Sequence, residues 1–110
     1  MAKLRNRDLK KALVKASVKA DQDDLLKDED LIKANNQVYK LFGDDQDFIA
    51  SDGNGVPKNV TFLTMFRVRR YMKRKGVEWK QMDSTSILNW LLENWVDVLK
   101  VIMSVLFIFI

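Results

Sequence analysis

The strongest chemical signal in the chain is a cationic run, Arg67-Val68-Arg69-Arg70-Tyr71-Met72-Lys73-Arg74-Lys75-Gly76. Guanidinium groups grip phosphate oxygens two at a time, and ammonium groups meet them as point charges. Arg67, Arg69, Arg70, Lys73, Arg74 and Lys75 are therefore candidates for contact with lipid headgroups or with a nucleic-acid backbone. A second set is polar rather than cationic. Asn89, Glu93, Asp97, Lys100 and Ser104 follow one another at steps of four, four, three and four. At about 100° per residue they share an arc of roughly 80° on one helix face, with Asn94 the outlier. A narrow polar stripe on an apolar cylinder suits contact with neighbouring helices, because a lone charge facing lipid is costly.

Catalysis finds little to work with. The chain has no Cys and no His, which removes disulfides, the usual zinc sites, thiol nucleophiles and every triad built on imidazole. No glycine-rich phosphate loop and no nucleophile with an adjacent base stands out. Asp52-Gly53-Asn54-Gly55 is similar to part of a calcium loop. Setting Gly55 at that loop's glycine puts Ala50 at the first ligand position and Thr61 at the twelfth, where a bidentate carboxylate is needed. The segment reads as a turn, and the chain as non-enzymatic, with no metal and no cofactor.

Charge is distributed in blocks. The 110 residues carry a net charge of +4, but residues 1–20 hold seven Lys/Arg against Asp8 and residues 21–30 hold six acids against Lys27. Asp44, Asp45, Asp47 and Asp52 form a second acidic patch, and residues 67–80 hold seven Lys/Arg against Glu78. Such alternation serves pairing within or between chains as readily as binding to an external polyanion.

These groups must be positioned by helices. Residues 1–20 form a basic helical arm with Leu9, Ala12, Leu13, Ala16 and Ala20 near one face. No apolar stretch follows the basic start, so it does not read as a secretory signal. Residues 21–80 form a small helical domain. Its first helix opens on acids and presents Leu31, Ala34, Val38, Leu41 and Phe42 before Gly43. An acidic loop spans 43–59. A further helix, capped by Asn59 and closed by Gly76, offers Phe62, Leu63, Met65 and Phe66 to a core. In its second half, Val68, Tyr71 and Met72 separate from the cations.

The last helix, 84–110, is the most apolar part of the chain. Asp83 or Ser84 caps it, and neither Gly nor Pro interrupts it. It would run roughly 40 Å, against a hydrocarbon core of about 30 Å. Insertion is close to balanced: each central charge costs about 2.5–3.5 kcal/mol, and each large apolar residue returns about 0.3–0.6. Lys100 can snorkel, and Trp79, Trp90 and Trp95 suit an interfacial belt.

The fold expected is all-α: three helices in the N-terminal region and one long C-terminal hydrophobic, transmembrane helix. The function expected is that of a single-span, membrane-anchored structural or interaction protein, such as a phage or virion membrane component. Its polybasic run would lie on the inner face and its striped helix would assemble laterally, as a homo- or hetero-oligomer. Two alternatives are a phage-type lysis protein that permeabilises the membrane, and a soluble nucleic-acid-binding helical module whose C-terminal helix oligomerises. A helix, turn and helix from Val60 to Trp95 resembles a DNA-reading helix pair in outline. Its second helix is apolar and acidic, however, so phosphate contact would fall to the preceding helix or to the N-terminal arm.

Overall fold

The computed structural model describes residues 4–42 and 58–109. The Asp52-Gly53-Asn54-Gly55 turn, the acidic patch from Asp44 to Asp52 and the Gly43 stop lie outside the described residues.

Helix α1 spans Asn6–Gln22. Its start is fixed where the Arg5 backbone N–H donates to Asp8 Oδ2 at 2.8 Å. Leu9, Ala12, Leu13, Ala16 and Ala20 are all buried, so the stretch read as a basic arm contributes one whole face to the core. The helix ends at Asp23, and Asp24 takes a left-handed backbone with φ of 54°, which aspartate tolerates better than most residues. Helix α2 spans Glu29–Phe42. Asp28 Oδ1 accepts from the Asp30 N–H at 2.8 Å, and the acids of the first turn sit at the positive end of the helix dipole. Ala34, Val38, Leu41 and Phe42 are buried as their spacing predicts, with Leu31 half-buried.

Helix α3 spans Lys58–Arg74, beginning one residue before the expected Asn59 cap. Gly76 closes it at φ of 77°, a conformation that glycine adopts without a Cβ penalty. Val60, Met65, Val68 and Met72 are buried. Phe62 and Phe66, expected in the core, are instead 69% and 44% exposed. Helical geometry gives the reason. Counting about 100° per residue from Phe62, the buried residues of α3 cluster between roughly 160° and 300°, whereas Phe66 falls near 40°.

The larger departure comes at the C-terminus. A single-turn 3-10 helix, Trp79–Gln81, leads to Asp83, whose Oδ1 accepts from the Ser86 N–H at 2.7 Å and caps α4, Ser84–Glu93. The expected uninterrupted helix 84–110 then breaks at Asn94, and a new helix, α5, runs Trp95–Phe109. Asn94 Nδ2 donates to the Trp90 carbonyl at 2.9 Å, the same oxygen that receives the Asn94 N–H at 3.1 Å. A short amide side chain competing for backbone groups is how asparagine ends helices without any Gly or Pro. At 15 residues, α5 is roughly 22 Å long, short of the about 30 Å of hydrocarbon. Among the described residues, no helix is long and apolar enough to cross a membrane.

An apolar cylinder must be covered by lipid or by protein. Here Trp95, Val98, Leu99, Ile102, Val105 and Leu106 are buried against protein. Helix α5 packs on α3, α2 and α4, while α1 lies against α2 and α4. The five helices among the described residues thus close into one core, and the radius of gyration is 13.2 Å, the size of an ordinary domain of about 100 residues. One polar side chain joins three of them. Asn35 on α2 is 5% exposed; its Nδ2 donates to the Ser17 carbonyl of α1 at 3.0 Å, and its Oδ1 accepts from Trp95 Nε1 of α5 at 2.7 Å. Every strong hydrogen-bonding demand at this junction is met, as a buried amide requires.

Candidate functional site

The outer face of α3 gathers what chemistry the molecule offers. Arg67, Arg70, Lys73 and Arg74 are exposed and Arg69 is half-buried. Opposite signs on neighbouring helices would normally neutralise such a row. Among the described residues the ion pairs are Lys19 with Asp23 and Lys27 with Asp24, so Arg67, Arg69, Arg70, Lys73 and Arg74 have no carboxylate partner among those residues.

Two concavities flank the row and share Arg70. The larger, about 650 Å³, is lined by Phe66, Arg69, Arg70, Lys73 and, across the turn, Val77 to Lys80. Among the described residues, Glu78 is its one carboxylate. The smaller, about 320 Å³, lies between α3 and α5, where Arg67, Arg70 and Arg74 meet Lys100, with Tyr71 and Ser104. The start of α1 is tied to the same face. Arg69 Nη1 donates to Asn6 Oδ1 at 3.1 Å, and the Leu4 N–H donates to the Lys80 carbonyl at 3.0 Å. Arg5 and Arg7, the sequence neighbours of Asn6, are both exposed. Arg69 Nε is buried without a hydrogen-bond partner.

The residues marked out by the sequence are distributed unevenly. Five of the six basic candidates form this face; Lys75 lies beyond the helix end, with Nζ 5.7 Å from the Tyr71 ring centre. The stripe Asn89, Glu93, Asp97, Lys100 and Ser104 is exposed at every position, although the break at Asn94 divides it between two helices. The tryptophans form no belt. Trp79 and Trp95 are buried, and Trp90 is half-buried with its ring centre 6.2 Å from that of Tyr71. Burial first, and then the neighbouring Asp97 carboxylate, hold the Tyr71 hydroxyl above its ordinary pKa.

Sequence reasoning missed Phe62 and Phe66 as surface residues, and Asn6 as a neighbour of the basic row. The helical wheel held the signal for the phenylalanines. Phe62, Phe66, Arg69, Arg70 and Lys73 span an arc of only about 100°. Among the described residues, no group of acids could hold a metal ion. Comparison with protein-family models, with curated proteins and with solved structures finds no match to the chain.

Proposed function

We propose that the chain is a non-enzymatic helical module that binds nucleic acid through the outer face of α3. The observation that carries this reading is the row Arg67, Arg69, Arg70, Lys73 and Arg74, held on one helix with no carboxylate partner among the described residues. Unneutralised charge at this density repels itself, and a polyanion relieves that repulsion while releasing its condensed counterions. The headgroup alternative drew its support from a membrane span beside the run. With α4 and α5 packed into the core, that support falls away. A membrane-anchored or membrane-permeabilising state would need both helices to leave the core and straighten at Asn94. Leu9, Leu13, Val38 and Met72 would then lose their cover.

The test is fluorescence anisotropy with labelled oligonucleotides over a salt series. Contact through four to six cations gives a log–log salt slope of roughly −3 to −5. Arg70→Ala and Arg74→Ala should each flatten that slope by about one, whatever the base sequence. Salt-insensitive binding, or a slope unchanged in both variants, would refute the proposal. So would retention of the full chain in membranes through an alkaline carbonate wash together with no oligonucleotide binding.

A further inference from the structure

Building on the proposed nucleic-acid reading, we infer that the α3 face takes single strands rather than duplexes, with bases stacked on Phe62 and Phe66 and phosphates held by Arg69, Arg70 and Lys73. Two large aromatic rings on the surface of a helical domain call for a physical reason. The core-facing positions of α3 are filled by Val60, Met65, Val68 and Met72, so the phenylalanines are not misplaced core residues. They lie one turn apart, with Arg69 and Arg70 a turn further on and Lys73 beyond them. The stripe therefore runs from two apolar π faces into three cations over roughly 16 Å at about 1.5 Å per residue. The Phe66 ring also lines the larger concavity beside Arg69, Arg70 and Lys73, which places stacking surface and phosphate ligands in one site.

A duplex has no use for these rings. Its bases are already stacked on one another, and a helix crossing its outside meets sugars and phosphates. A single strand can splay its bases onto aromatic side chains while its backbone follows a positive groove. A bilayer is the other surface that accepts aromatic rings beside cations. A membrane-surface helix, however, presents a broad apolar face, and the apolar face of α3 is turned into the core.

The experiment uses the full chain, a labelled single strand of about 16 nucleotides, the same strand annealed to its complement, and vesicles of phosphatidylserine and phosphatidylcholine. The single strand is expected to bind at least tenfold more tightly than the duplex. Phe62→Ala and Phe66→Ala should each weaken single-strand binding by roughly ten- to hundredfold and leave duplex binding unchanged. Phe66→Tyr, which keeps the π face, should retain it. Both phenylalanines are exposed, so thermal melting of the alanine variants should match that of the parent and separate lost stacking from lost fold. Equal binding of both nucleic acids, unmoved by the phenylalanine substitutions but weakened by Arg70→Ala, would overturn this inference and leave the proposed function standing. Binding of neither would overturn both. Phenylalanine-dependent capture by the vesicles without oligonucleotide binding would assign the face to lipid instead.

Discussion

Replacing Asn35 with Ala removes a side chain that ties α1, α2 and α5 together. Two hydrogen bonds go, at 3.0 Å to the Ser17 carbonyl and at 2.7 Å from Trp95 Nε1. The indole N–H is left buried without a partner, because Trp95 is 2% exposed. A stranded buried donor costs about 1–3 kcal/mol, and the lost contact to Ser17 adds about 1 more. The variant should therefore be destabilised by about 2–4 kcal/mol. A domain of this size has only about 5–15 kcal/mol in total. Melting should drop by roughly 9–17 °C. Trp95→Phe removes the donor instead, and on its own it strands the Asn35 oxygen. In the double variant neither group is stranded, so its loss should fall short of the two single losses added together by at least about 1 kcal/mol. Urea unfolding followed by circular dichroism measures all four proteins. Additive losses would mean that Asn35 and Trp95 do not meet, and with that the docking of α5 in the core would fail.

Three further outcomes follow from the same contacts. Gly76→Ala should cost about 1 kcal/mol through backbone conformation alone, since a Cβ there meets nothing within 4 Å; a neutral midpoint in urea would contradict the left-handed turn. Asn94→Ala removes a hydrogen bond to the Trp90 carbonyl and should destabilise by about 0.5–1.5 kcal/mol; a gain in stability would mean that α4 and α5 prefer to run as one helix. The folded pKa of Tyr71 lies above its ordinary 10.0, so this phenol's contribution is complete below the unfolded value and is lost as pH rises through the folded one. In a Tyr39→Phe background, ultraviolet titration should show Tyr71 ionising late, and Asp97→Asn should bring it earlier; an unmoved titration would remove Asp97 from its surroundings.

Much of the fold is legible in the sequence because α1 and α2 obey simple periodicity. The faces bearing Leu9, Leu13 and Ala16, or Ala34, Val38 and Leu41, repeat every three or four residues and have one solution. A cap at Asp83 or Ser84 and the Gly76 stop are local chemistry and are read just as directly, the structure choosing Asp83. The C-terminal reading went astray at one residue. Asn94 was visible as the outlier of the polar stripe, but nothing in its identity says whether an asparagine inside an apolar stretch stays helical or captures the Trp90 carbonyl. Tertiary packing of α5 against α2 and α3 decides that. The same packing explains why hydropathy pointed towards lipid: a helix apolar on most sides looks alike whether protein or bilayer covers it. The basic row was legible as residues. Its joining to the start of α1, through Asn6 on Arg69 and Leu4 on Lys80, depends on contacts more than sixty residues apart and could not be read from spacing.

The most direct single measurement is amide hydrogen exchange of the full chain without lipid, free and with a saturating single-stranded oligonucleotide. The expected result is strong protection from Leu91 to Leu106 in the free protein, with added protection on binding confined to α3, the Trp79–Gln81 turn and the start of α1. Fast exchange along α5 until vesicles are added, with α3 unchanged by the oligonucleotide, would contradict both the packed C-terminal helix and the nucleic-acid face.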